Sequence, residues 1–322
     1  MKWKDKSVLV TGGAGFIGSC LSKELVNLGC DVCVADNFFR GRIENIKPIL
    51  DKIKLFEVDL TKQESCLDVT KDIDYVFHLA ASVGGIHYIN KQYVEGGTPS
   101  ILMNTNMIEA AAINNIERFL FTSSACVYCQ SDMNLNKFKE EYAYPANPTT
   151  TYGWAKICGE VLCKAYHSEY GMKTCSMRIF NAYGENENID PRSSHVIPSL
   201  IRKAVLYPKE GFKMFGDGEQ VRAFMYVKDC VKGLILGMEK NVNGEAINLG
   251  SEELISIKDL AEKIVDISGK DIKIGYDLSG PRGTNKYCAD TTKLKEVFGW
   301  CPDTPLDEGL RNTYDYINGE LK

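Results

Sequence analysis

The sequence predicts a doubly wound parallel α/β sheet with a smaller C-terminal α/β region beside it. Three observations carry this. Apolar strand-like runs alternate with helical patterns through the first half, a glycine-rich turn follows the first run, and beyond about residue 181 the elements shorten and Gly/Pro punctuation thickens. Alternating strand and helix build a parallel sheet covered on both faces. Right-handed crossovers then leave a ligand crevice at the carboxyl ends of the strands.

The expected strands are 7–10, 32–35, 54–58, 75–79, 118–122 and 174–179, and the expected helices 16–28, 43–52, 100–114 and 152–169. The first strand enters Thr11-Gly-Gly-Ala-Gly-Phe-Ile-Gly18, in which Gly13-x-Gly15-x-x-Gly18 and Gly12-x-x-Gly15-x-x-Gly18 are both readable. A strand before such a turn and a helix after it make a dinucleotide loop. Gly12, Gly15 and Gly18 let backbone approach a pyrophosphate, which rests on the helix start at Phe16 and Ile17. Asp36, ending the second strand, stands about 20 residues on, where a carboxylate grips a ribose. A carboxylate there repels a 2′-phosphate and favours NAD over NADP, although Arg40 and Arg42 lie close by. Asn37, Arg40, Asp59 and Leu60 complete the adenosine side of this Rossmann-type half. The fourth strand ends in His78-Leu79-Ala80-Ala81, small residues where a cofactor can approach, with His78 read as a satisfied strand-end histidine. The expected division is 1–180 plus about 222–250 for the cofactor, and about 181–221 with 251–322 for the substrate.

Bulk properties narrow the classes. The chain has 322 residues, 44% hydrophobic and 25% charged, with a net charge of −5. It lacks the basic footprint of nucleic-acid or membrane-surface binding, and its apolar runs fall well short of the ~20 residues of a membrane span. The start, MKWKDKSVLVTGG, is too brief an apolar stretch for a signal peptide, so a cytoplasmic protein is expected. Twelve cysteines include two CxxC matches, Cys30–Cys33 and Cys126–Cys129. Neither has a histidine cluster or convergent geometry, so no metal is expected, and most are read as small buried hydrophobes.

Tyr152-Gly-Trp-Ala-Lys156 places a phenol and an amine one helical turn apart on one face. A phenol of ordinary pKa ~10 acts as a base only beside positive charge, and Lys156 with an oxidised nicotinamide supplies it. Ser123 and Ser124 stand at a strand end between this motif and the glycine turn. Two residues apart on an extended chain, Ser124 and Cys126 share a face.

TGGAGFIG, Asp36, HLAA, SSACVY, YGWAK, Arg178-Ile-Phe-Asn-Ala-Tyr-Gly184 and Gly218-Glu-Gln-Val-Arg-Ala-Phe224 together resemble the extended short-chain dehydrogenase/reductases that act on nucleotide sugars. The resemblance spans nearly the whole chain. It implies that Ser124, Tyr152 and Lys156 form the catalytic trio, with hydride passing from sugar C4 to a tightly bound, recycled NAD. It adds Phe180 to the cofactor side. To a nucleoside-diphosphate sugar it assigns Gly84, Gly85, Asn181, Val196, Lys203, Met214, Phe215, Arg222 and Arg282. Helices 100–114 and 152–169 resemble those that pair in homodimers of this family.

The residues after Ser124 separate the reactions. Family dehydratases carry Asp-Glu there, whereas this chain has Ala125-Cys126. A cysteine at that place resembles the GDP-mannose 3,5-epimerases and the GDP-fucose synthases. Once C4 is a ketone, the hydrogens on C3 and C5 are acidified, and inversion needs a base on one ring face and an acid on the other. Cys126 suits one face. His195, in Ser193-Ser-His-Val-Ile-Pro198, suits the other. The His-Val-Ile-Pro segment is similar to the synthases, whereas the plain 3,5-epimerases carry lysine nearby. Val83-Gly-Gly-Ile86 and Phe212-Lys-Met-Phe-Gly-Asp-Gly218 lean to the epimerases. The leading expectation is a GDP-hexose 3,5-epimerase with Cys126 and His195 as its acid–base pair. The alternatives are an NADPH-consuming synthase, a simple NDP-sugar 4-epimerase, and a nucleotide-sensing protein without turnover.

Overall fold

The computed structural model describes residues 2–82, 93–128, 137–240, 242–278 and 286–322. At its centre lie β1 (Ser7–Thr11), β2 (Asp31–Asp36), β3 (Ile53–Glu57), β4 (Tyr75–His78), β5 (Arg118–Ser124), β6 (Lys173–Ile179) and β7 (Ala246–Leu249). They form one seven-stranded sheet in the order β7-β6-β5-β4-β1-β2-β3, and every pairing is parallel. The chain steps outward from β1 to β3, then returns to the other side of β1 with β4. Thr11 is thereby opposite His78, and a crevice opens where the order reverses.

Both faces of the sheet are covered, which is why its strands read as continuous apolar runs. Val8 and Val10 point into one core, with Leu21 and Leu25 of α1 (Phe16–Asn27) and Leu234 and Met238 of α7 (Val227–Lys240). Leu9, between them, points into the other. There it meets Cys66 and Val69 of α3 (Gln63–Val69), Met103 and Met107 of α4 (Tyr93–Ile113) and Cys163 of α5 (Thr151–Tyr170).

The six expected strands are found with ends shifted by at most two residues. The helices differ more. Expected helix 43–52 is α2 (Ile43–Ile46) followed by a 3-10 turn over Lys47–Lys52, because Pro48 brings no N–H to continue the α ladder. Helix α4 starts at Tyr93, seven residues before the expected 100, and runs through Pro99. Helix α3 was not anticipated; two turns carry too little periodicity to stand out.

A second core gathers Ile197, Leu200 and Ile201 of α6 (Val196–Leu206), Leu260 and Ile264 of α8 (Ile257–Ser268), and Leu310 and Ile317 of α9 (Leu306–Glu320). Beside it a small sheet joins Leu254–Ser256, Val221–Ala223, Lys286–Ala289 and Lys137–Phe138 in that order. Phe16 and Ile17 pack against this second core, and Ile17 also against the first. The start of α1 therefore lies at the seam between the two.

Candidate active site

The glycine turn is held by backbone that tolerates no side chain. Gly12 adopts φ +66, and a Cβ there would lie 3.0 Å from Ala80. A Cβ on Gly18 would come within 2.2 Å of the Gly12 carbonyl, so Gly18 lets the helix settle onto the loop. Gly13 is also close-fitted, against Val34 and the Val10 carbonyl, so both readable glycine registers have steric cause. Helix α1 is preceded by Gly15 with no side-chain cap and no acidic residue in its first turn. Its leading N–H groups are thus left to an anion. Asp36 ends β2, buried, its Oδ2 accepting from Ala14 N and its Oδ1 from Phe38 N, both at 2.9 Å. Burial raises this carboxyl, and the Phe38, Ala14 and Asn37 N–H groups oppose the rise. A tight turn, an uncapped helix start and a strand-end carboxylate fit the pyrophosphate and ribose of NAD.

The neighbouring candidates differ in what they offer. Asn37 and Arg40 are exposed, the Arg40 guanidinium 5.5 Å from the Phe39 ring centre. Asp59 spends Oδ1 on the Thr61 N–H and hydroxyl. The Leu60 side chain belongs to the core. So does Phe180, at 1% exposure among Tyr128, Phe138 and Ala125. The side chains of Leu60 and Phe180 pack inward, so a cofactor contact there would run through their backbone.

His78 is buried beneath the crevice. Its Nδ1 is 2.8 Å from Thr11 Oγ1 and its Nε2 3.2 Å from Asn104 Oδ1. Asn104 donates its amide to Ala155 O, so Oδ1 must accept. The ring therefore carries its proton on Nε2 and accepts from the Thr11 hydroxyl, which in turn accepts Leu79 N and Ala80 N. This lattice fixes the backbone that borders Gly12.

At the end of β5 the chain stops being extended. Ser124 caps a 3-10 turn over Ala125–Val127, its Oγ accepting Cys126 N at 3.2 Å. The extended-strand reason for pairing Ser124 with Cys126 is therefore wrong, yet the turn brings the two together. Both are half-buried. Tyr152 and Lys156 face them from the first turns of α5, which Thr150 caps through its hydroxyl. Lys156 is 2% exposed, donates to Thr122 O at 2.6 Å, and sits 5.5 Å from the Tyr152 ring centre. Burial lowers its amine to about 8. Burial pushes the Tyr152 phenol up, with the Cys126 sulfur adding and the Ser124 hydroxyl opposing. Burial also raises the Cys126 thiol, against pulls from Ser124 and Lys156. These four side chains form one electrostatic unit.

The opposite wall comes from the second half. Asn181 sits at φ +38 with Nδ2 on Ala223 O, while Tyr287 donates its hydroxyl to Asn181 Oδ1 at 3.0 Å. The Arg222 guanidinium lies 4.7 Å from the Tyr287 ring centre, and the charge of Cys126 bears on Tyr287. His195 stands at the N-cap position of α6 without capping it through its side chain, and is 2.6 Å from Glu187 through Nδ1. Val196 is half-buried at the start of the same helix. Lys203 donates to Lys213 O and stands 5.4 Å from the Phe215 ring centre. Phe215 is exposed, but the Met214 side chain is core. Adjacent strand residues face opposite ways, so Phe215 presents its side chain outward and Met214 only its backbone. His195 makes no hydrogen bond with Cys126 among the described residues; its recorded partner is Glu187. Gly84, Gly85, Arg282 and Cys129 lie outside the described residues. Among those described, no group of His, Cys, Asp and Glu is arranged to hold a metal.

Sequence reading missed Tyr287, Glu187 and Gly153. A Cβ on Gly153 would lie 2.3 Å from Cys126 O, so the glycine of YGWAK is what lets α5 approach the Ser–Cys turn. That signal was local and readable. Tyr287 was not, since its partner Asn181 lies 106 residues away, and Glu187, eight residues before His195, sits in a loop with no periodic pattern to single it out.

The model of the "NAD dependent epimerase/dehydratase family" matches residues 8–250. The chain belongs to this family. As a member it is an NAD-dependent enzyme of the epimerase/dehydratase type. It is 34% identical over 322 residues to a GDP-mannose 3,5-epimerase of Arabidopsis thaliana, covering 99% of this chain and 84% of that one. It is 30% identical to GDP-L-fucose synthase 1 of the same plant, over 98% of this chain and 94% of the relative. The solved UDP-glucose 4-epimerase of Thermotoga maritima superposes with a TM-score of 0.89 at 29% identity, over 98% of this chain and 100% of that one. The family membership accounts for the doubly wound sheet.

Proposed function

We propose that this family member is a nucleotide-sugar 3,5-epimerase working through transient oxidation at C4, with a GDP-hexose such as GDP-mannose as substrate. The observation that carries the reading is the Cys126 thiol, held by the Ser124 turn against Tyr152 and Lys156. A 4-epimerase has no use for a thiol there. When bound, NAD supplies the hydride acceptor and returns the hydride at the end of the cycle. Tyr152 takes the 4-hydroxyl proton, Ser124 holds the C4 oxygen, and Lys156 lowers the cost of the phenolate. The C4 ketone acidifies the C–H bonds at C3 and C5. In this reading Cys126 and His195 remove and deliver protons on opposite ring faces. Asn181, Arg222 and Tyr287 hold the nucleotide diphosphate side, Arg222 offering a fork to phosphate.

A synthase of the GDP-fucose type remains the second reading, favoured by His195-Val-Ile-Pro198. Buried Asp36 at the ribose position disfavours the NADPH it consumes. The described cysteines form no disulfide, in keeping with a cytoplasmic, reducing setting. The apolar outer faces of α4 and α5 suit a homodimer.

Solvent deuterium tests the proposal. Incubation with GDP-mannose in D2O gives label at C3 and C5 without net cofactor use, and Cys126→Ser reduces labelling at least ~100-fold, the scale of one acid–base group. Labelling unchanged by Cys126→Ser, or stoichiometric NADPH oxidation, overturns the reading.

A further inference from the structure

We propose that Glu187 is a positioning residue for His195: its carboxylate holds the Nδ1 proton and so makes Nε2 the nitrogen that exchanges protons with substrate. This rests on reading His195 as one half of the acid–base pair. Glu187 is 4% exposed, whereas the His195 side chain is 58% exposed, and the two meet at 2.6 Å. An ionised carboxylate only accepts, so the imidazole must donate from Nδ1. The neutral ring then has a bare Nε2, a base; the charged ring carries a proton there, an acid. Nε2 lies on the ring edge away from Glu187 and has no protein partner among the described residues.

The arrangement is more than a loop brace. Burying a carboxylate costs free energy unless its oxygens are satisfied, yet Glu187 Oε2 is buried without a hydrogen bond of full geometry, the Gly184 N–H only bearing on the group. A neutral acceptor would hold the loop as well at lower cost. Nearby charges are engaged elsewhere: Asp190 pairs with Arg192, Arg202 with Glu210, and Glu185 accepts the Tyr226 hydroxyl. Glu187 is thus the charged group that bears on the ring among the described residues. The Glu187 carboxylate holds the His195 imidazolium above its ordinary value. Burial raises Glu187 in turn, against the pull of His195. The loop keeps its shape through Asn186 at φ +66, anchored to Ser19 Oγ at 2.9 Å.

The chain has four histidines, so histidine-labelled holoenzyme can be titrated by NMR, with His195→Asn assigning the signal. In the wild type His195 titrates above ~6.5, and Glu187→Gln lowers its midpoint by roughly one unit or more. In D2O with GDP-mannose, the alkaline fall of ring-carbon labelling moves down by the same amount, because delivery of a deuteron requires the imidazolium. Glu187→Gln lowers kcat with little change in KM, and Glu187→Asp restores part of the shift. An unmoved His195 midpoint, or an unmoved labelling profile beside a moved midpoint, overturns the role of Glu187. Labelling that survives His195→Asn overturns the reading of His195 itself, whatever the titration gives, so the two failures are distinct.

Discussion

Cys126 and His78 are titratable side chains near the carboxyl ends of adjacent strands, and their surroundings sort them into opposite roles. His78 has both ring nitrogens engaged and no exposure. Burial, with the Lys156 charge adding, lowers it from 6.5 to about 3. The folded protein therefore keeps His78 neutral while the unfolded chain takes up a proton below ~6.5. Stability is lost as pH falls between those two values. At pH 5 the loss from this group is about 2 kcal/mol, from 1.36 kcal/mol per unit over ~1.5 units. Urea unfolding at pH 7 and pH 5 measures it, and His78→Gln should flatten the difference by that amount. An equal slope in the variant refutes the assignment. The strand-end position of His78 was legible in the sequence, as was its quiet role. Its tautomer was not, because it depends on Asn104 turning its amide toward Ala155. Cys126 differs in being half-buried, with a hydroxyl and an ammonium bearing on it.

The turn after Ser124 rests on a polar strut that joins three elements. Arg178 of β6 grips Glu160 of α5 through Nε and Nη2 at 2.8 and 2.7 Å, and its Nη1 donates to Tyr128 Oη and Glu140 O. Ser123 of β5 donates to Glu160 Oε1, and Tyr128 donates to Asn248 Oδ1. Arg178 and Glu160 are 1% and 4% exposed. Removing one partner of such a pair leaves a buried charge, at a cost of about 3–5 kcal/mol, whereas replacing both with apolar residues is often close to neutral. Arg178→Met should therefore destabilise by that amount in urea unfolding, and Arg178→Met with Glu160→Leu should recover a large part. A double variant as unstable as the single one would show that the bonds to Tyr128 and Ser123 matter more than the ion pair. The elements themselves were legible from apolar runs, and Arg178 was visible as part of a motif. Its role was hidden, because its partners come from residues 18 to 50 positions away and leave no local pattern.

Across the whole molecule, the central sheet was legible because its signals are local: an apolar run, a turn, a helix. The second half was harder to read. Its strands run two to four residues, and the small sheet joins residues from 137 to 289, so Tyr287 reaches Asn181 through topology rather than spacing. The outer surface carries one more consequence. Helices α4 and α5 pack against one another beside the sheet, yet Ile101 and Leu102 on the first and Trp154 and Val161 on the second stay exposed. Large apolar side chains left on two adjacent helices suit burial against another surface. A second copy of the same pair, related by a two-fold axis, offers a self-complementary one. In such an isologous contact each substitution acts twice, so one buried charge per chain places two in the interface. Val161→Glu should therefore convert a dimer to a monomer in sedimentation velocity, with the helical signal in circular dichroism unchanged. Leu102→Glu on the facing helix should do the same. Because Tyr152 and Lys156 sit on the inner face of α5, separation of the subunits should leave NAD binding measurable and weaken it less than tenfold, a shift of under about 1.4 kcal/mol. A wild-type monomer, or dimers that survive both glutamates, would rule out this face as the contact.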